Sequence, residues 1–174
     1  KFAGQQKDLY LGSPFPKSQG ESIYTSFHQF TPQLQAKCIP RNFQHIGKSK
    51  KLGTFCVPEE FSFKMNFYLT KHFSGWKSLV MFGNSRKEVN LLVEIKDGKW
   101  LYVFSGTAED WNLHCYSEKV NIELNKVYTV HVTRTKNSLK AKFELGSCER
   151  NNIGPVKFAG QQKDLYLGSP FPKS

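Results

Sequence analysis

The sequence predicts an all-β fold, a single antiparallel two-sheet sandwich spanning residues 1–174. Three observations predict it. Short apolar segments follow one another with turn signals at intervals of roughly eight to twelve residues. No stretch carries a convincing helical period. The 174 residues include fifteen Phe and are 14% aromatic, enough apolar surface for one domain with its own core.

Taken in order, the chain opens on KFAGQQKDLYLGSPFPKS at 1–18, which returns without a difference at 157–174, an offset of 156 residues. Within it, Asp8 to Leu11 alternates polar and apolar until Gly12-Ser13-Pro14 breaks the pattern, the signature of a strand. Residues 19–40, rich in Gln, Ser and Thr, read as a connector holding at most one strand, and Gly47–Lys51 as a basic turn. Phe61, Phe63, Met65, Phe67 and Leu69 alternate with Ser62, Lys64, Asn66, Tyr68 and Thr70, the clearest period-2 signal in the chain. A short apolar run, Leu79–Phe82, ends at Gly83-Asn84. Val89–Ile95 and Trp100–Phe104 flank Asp97-Gly98, a strong hairpin signal. Val120–Leu124 and Tyr128–Thr133 read as further strands. Leu139, Ala141, Phe143 and Leu145 then alternate with Lys140, Lys142 and Glu144, before the second copy.

The exact duplication has two explanations. The chain is a window on a head-to-tail array with a 156-residue period, or one terminal strand was copied to the other end by design. A sandwich offers one slot for such a strand, while the chain carries two candidates, Leu9-Tyr10-Leu11 and Leu165-Tyr166-Leu167. Strand donation between neighbouring units follows as an expectation, because an unpaired sheet edge accepts another strand.

Charge points to anionic partners. The formal net charge is +11, and counting the repeated segment once leaves +9. Simple solubility explains the same surplus. Lys48, Lys50 and Lys51 form one basic cluster, and Arg134, Lys136, Lys140 and Lys142 another around a single hairpin. Together they read as an anion-binding stripe or as lysines that guard sheet edges. Nucleic acid is not expected, because Trp76, Trp100 and Trp111 are not interleaved with basic residues in sequence. Membrane insertion is not expected either, since no apolar run reaches the length of a spanning helix.

Cys38, Cys56, Cys115 and Cys148 are widely spaced, with no Cys-x-x-Cys, which favours disulfides in an oxidising, secreted setting over zinc. Four cysteines allow three connectivities. No cofactor or metal is implied. Catalysis has little support: Glu59-Glu60 and Glu109-Asp110 are adjacent pairs, which on a strand face opposite sides. His131, in an apolar strand, reads as a packed sheet residue rather than a base.

Several segments together resemble the laminin G-like family, particularly its thrombospondin N-terminal-like branch. They are Pro58–Phe63, Leu79–Asn84, Val93–Gly98, Tyr128–Arg134 and Leu165–Ser169, and Ala36–Asn42 resembles the family's late cysteine-bearing segment. Tyr128 stands where the family usually has tryptophan. In this order residues 1–45 look like the end of a domain and 55–174 like its beginning and middle. The resemblance implies pairing of Cys148 with Cys38, leaving Cys56 for Cys115. It also implies an optional calcium site at the sandwich rim, with Glu88, Asp97 and Asp110 as candidates, although no dense acidic loop supports one. With the resemblance implying a jelly-roll sandwich, the expectation is a non-catalytic extracellular structural module, self-associating as the repeat of a filament or matrix. The alternative is an adhesion module for sulfated glycans.

Overall fold

Phe61–Leu69, the clearest alternation in the sequence, lies inside one sheet of an antiparallel β-sandwich. The computed structural model describes residues 23–31, 44–45 and 49–168. The first six strands in chain order are β1 (Ile23–Thr31), β2 (Gln44–His45), β3 (Lys50–Cys56), β4 (Phe61–Leu69), β5 (Trp76–Gly83) and β6 (Val89–Lys96). The rest are β7 (Trp100–Phe104), β8 (His114–Tyr116), β9 (Tyr128–Arg134), β10 (Ser138–Phe143), β11 (Gly146–Asn151) and β12 (Gln162–Leu167). One sheet has the order β11-β10-β9-β4-β1-β2, the other β3-β12-β5-β6-β7-β8. Among the described residues there is no helix, and so none long and apolar enough to cross a membrane.

The core follows from strand parity. Phe61, Phe63, Met65 and Phe67 of β4 face Leu91, Val93 and Ile95 of β6, and all are buried. Inward residues of β9 and β10, Val130, Val132, Leu139 and Ala141, complete the same cluster. The outward parity of β4 is buried as well at its far end, where Tyr68 stacks on Tyr24 with ring centroids 5.0 Å apart. The expected hairpin between β6 and β7 turns on Asp97 and Gly98, with φ of 51° and 64°, the left-handed pair that an Asp-Gly turn supplies.

Three local expectations are corrected. Val120–Leu124 is irregular: its Ile122 is buried, but its backbone crosses to β9 through single bonds, Val120 N to Lys99 O and Asn125 N to Leu69 O. Lys50 and Lys51 lie on β3, where Tyr166 and Leu167 pair with them, and not in a turn. The alternation from Leu139 stops at Phe143, where the chain reverses into β11.

The second copy of the repeated segment supplies β12, an interior strand hydrogen-bonded to β3 on one side and β5 on the other. Leu165 and Leu167 point into the core, 0% and 1% exposed, and Tyr166 faces outward. The first copy, with Leu9, Tyr10 and Leu11, lies outside the described residues.

Cysteine pairing differs from the family expectation. Cys115 of β8 is bonded to Cys148 of β11, with a Cα–Cα distance of 5.6 Å. The two strands are edges of opposite sheets that meet on one side of the sandwich, so the bond clasps the sheets together. Cys56 sits on β3, at the far edge of the sheet that holds Cys115. Five inter-strand steps of about 4.8 Å put those two cysteines out of reach of each other. Cys56 is a free, exposed thiol, and Cys38 lies outside the described residues.

Candidate anion-binding face

The outer face of the β11-β10-β9-β4 sheet brings Lys64, His131 and Lys142 into register. Because β9 alternates inward and outward, His131 faces out beside Val130 and Val132, which face in. Its cross-strand partners are Lys64 on β4 and Lys142 on β10, and Ser147 on β11 continues the row. The next row runs Ser62, Thr133, Lys140, Glu149. Cross-strand side chains of this kind lie within reach of one another, so three basic groups share one strip of surface.

Two open depressions adjoin along this strip. One of about 520 Å³ is lined by His131, Thr133, Lys140, Lys142, Ser147 and Glu149. The other, about 350 Å³, is lined by Lys64, Thr129, His131, Lys142 and Glu144. Both carboxylates at the rim have partners, one of them a lysine of the same depression. Glu144 accepts the Thr129 amide at 2.9 Å, and Glu149 pairs with Lys140 at 3.1 Å. Among the described residues neither Lys64 nor Lys142 has an ion-pair partner. His131 Nε2 lies 2.8 Å from Ser62 Oγ. Partial burial holds the imidazole pKa below its ordinary value, and the flanking Lys64 and Lys142 ammoniums push it further down. An anion seated between the lysines would reverse both lysine effects.

The sequence-expected basic residues do not form one stripe. Arg134 is wholly buried and serves the fold. Its position in β9 has the inward parity of Val130 and Val132, so the guanidinium enters the interior. There Nε donates to Ser105 Oγ at 3.0 Å, Nη2 to Gly154 O at 2.7 Å, and Nη1 to Thr135 O. Burial draws its pKa down to about 10. Lys136 caps the other side of the hairpin, its amide donating to Glu60 and its ammonium 3.4 Å from Glu59. Lys51 belongs to the opposite sheet and pairs with Asp164 at 2.9 Å. Lys50 lies on the same strand, and Lys48 lies outside the described residues.

Lys140 and Lys142 therefore remain from the expected set, joined by Lys64 and His131. Lys64 was visible as an outward residue of its strand, but only the register of β4, β9 and β10 brings it beside Lys142. The rim acids are separate: Glu88 pairs with Lys163 at 2.8 Å, Asp97 accepts the Gly75 amide, and Asp110 accepts the Asn112 amide. Among the described residues no three His, Cys, Asp or Glu side chains converge as a metal site would require. No protein-family model matches the chain, and no curated protein matches it.

Proposed function

We propose that this chain is a non-catalytic, secreted sandwich module that holds a sulfated glycan on the outer face of the β4-β9-β10 sheet. One observation carries the reading: Lys64, His131 and Lys142 stand in a single cross-strand row over adjoining depressions, and the carboxylates there, Glu144 and Glu149, are held by the Thr129 amide and by Lys140. Sulfate groups suit such a row because they stay anionic at every physiological pH and accept several donors at once. The laminin G-like resemblance of the sequence fits a module of this kind. Retention on immobilised heparin, eluted with salt, tests it. Lys64→Gln and Lys142→Gln should each weaken binding roughly two- to fivefold, whereas Lys51→Gln, on the other sheet, should change nothing. Equal elution of all three variants would defeat the proposal.

The position of β12 favours a second reading, in which the chain is a repeat of a self-assembling array. The berth between β3 and β5 is filled by a segment whose sequence is also present, unchanged, at 1–18. Either copy is chemically equivalent as its occupant, so exchange between molecules costs no side-chain contact. Leu9→Asp with Leu11→Asp alters the first copy at the positions equivalent to Leu165 and Leu167. Under this reading it leaves the fold intact and abolishes concentration-dependent assembly in light scattering. Assembly unchanged by the double substitution would refute the reading.

A further inference from the structure

The berth of β12 makes demands that a second segment of the same chain meets in full. Each demand is visible in residues 157–168. Leu165 and Leu167 fill the core. Asp164 accepts from Thr54 Oγ1 at 2.6 Å and pairs with Lys51, while its amide donates to Asn84 Oδ1 at 2.9 Å. Lys163, 8% exposed, reaches Glu88 at 2.8 Å, with its ammonium 4.4 Å from the Phe158 ring centroid. Gly168 closes the strand at a φ of 72°, a left-handed backbone that glycine adopts without penalty, and donates to Leu79 O. The equivalent residues of the first copy are Phe2, Lys7, Asp8, Leu9, Leu11 and Gly12, the same amino acid at every position.

Connectivity permits the first copy to enter that berth within one molecule. β12 runs antiparallel to β5 and ends where Gly168 meets Leu79, three residues past Trp76. β1 begins at Ile23, opposite Leu69, the last residue of β4. Only 70–75 separates the end of β4 from the start of β5, so the exit of β12 and the entry of β1 lie at one end of the sandwich. A first copy seated in the berth would leave it at Gly12, with ten residues, 13–22, to reach Ile23. Extended, they span about 33 Å. The path is about 10 Å along β5, about 10 Å between the sheets and one strand spacing of about 5 Å within each sheet. Even laid end to end, these steps stay within the linker's reach.

We propose that the chain folds in two alternative frames, which share the strands from β1 to β11 and differ in which copy lies between β3 and β5. One frame seats 157–174, as described above. The other seats 1–18 and frees 157–174 from the sheet. The berth holds one strand, so the frames exclude each other. Their side-chain contacts are the same, and they differ in the tether that closes onto the berth, a contribution that changes slowly with tether length. Both frames are therefore populated. A ligand that takes residues 157–174 only when they are out of the sheet draws the chain into the second frame. The exchange is intramolecular and does not depend on assembly between molecules.

The test spoils one copy at a time in the full chain and reads urea unfolding and sedimentation at several concentrations. Leu165→Asp with Leu167→Asp bars the second copy from the core, where two carboxylates would lie buried without partners. This variant should still unfold cooperatively, with a urea midpoint within about 0.5 M of wild type, and sediment as a monomer throughout. Adding Leu9→Asp and Leu11→Asp should abolish the folded state. A disulfide trap supplies a second measure. Asp8→Cys with Thr54→Cys, in a Cys38→Ser, Cys56→Ser background, places thiols at the register that Asp164 and Thr54 share. Mild oxidation should link them within one chain, as it should for Asp164→Cys with Thr54→Cys. The proposal is overturned if the Leu165→Asp, Leu167→Asp variant is unfolded when dilute or folds only as an oligomer. It is equally overturned if the Asp8→Cys pair gives no bond, or only cross-linked dimer, where the Asp164→Cys pair closes. An oligomer or cross-linked dimer would instead support strand sharing between molecules, so each reading can fail alone.

Discussion

Arg134 Nε donates to Ser105 Oγ at 3.0 Å, and through that bond the β9 end of one sheet is tied to the end of β7 in the other. Ser105 passes the connection on, its hydroxyl donating to Asn90 O at 2.8 Å. The guanidinium also satisfies Gly154 O and Thr135 O. Arg134→Met keeps the volume but removes the donors that Ser105 Oγ, Gly154 O and Thr135 O accept from and leaves the interior end of β9 without its cross-sheet bond. It should cost roughly 3–5 kcal/mol in urea unfolding. Arg134→Lys should recover only a fraction, because one ammonium cannot span three acceptors in the planar fork's geometry.

The Cys115–Cys148 bond closes a loop across a sequence separation of 33 residues. In the chain-entropy account its removal destabilises by roughly 3–4 kcal/mol. The Cys115→Ser, Cys148→Ser double variant should lower the urea midpoint accordingly. Non-reducing peptide mapping of wild type should join the peptide holding Cys115 to the one holding Cys148.

His131 gives the sulfated-glycan face a pH dependence. Its folded pKa lies below the ordinary 6.5, so the unfolded chain takes up a proton first. Stability contributed by the neutral imidazole is full above pH 6.5 and falls as pH drops through the lower folded value. A polyanion between Lys64 and Lys142 inverts this, because it stabilises the imidazolium. Glu144, the other charged group lining that depression, holds the Thr129 amide. Heparin elution should therefore move to higher salt between pH 7.5 and 5.5. In His131→Asn the elution position should be flat over the same range.

Gly83 stands at the irregularity between β5 and β6, where a Cβ would strike the Glu88 carbonyl. The obstacle is backbone, which cannot rotate aside. Gly83→Ala should cost about 1–3 kcal/mol and broaden resonances of the adjoining strands.

Much of this was legible beforehand in the alternation of single strands. Phe61–Leu69, Trp100–Phe104 and the Asp97-Gly98 turn fall where pattern and turn chemistry place them. Arg134 was legible too, since it shares the parity of Tyr128, Val130 and Val132. Grouping it with the lysines by nearness in sequence overlooked that signal. The Lys64–His131–Lys142 row was not legible. It is a property of register between strands, which no one strand encodes. Cysteine pairing was hidden for the same reason, as it depends on which two sheet edges come face to face.

With β8 and β11 stapled covalently, the sandwich resembles a book bound along that margin. Any breathing must then part the leaves at the opposite margin, where β3 forms the fore-edge and β12 is the next line of text inward. Amides of β3 and β12 should exchange with deuterium before those of β7 and β8. The one segment that exists in duplicate thus lies beside the side from which it can be turned out.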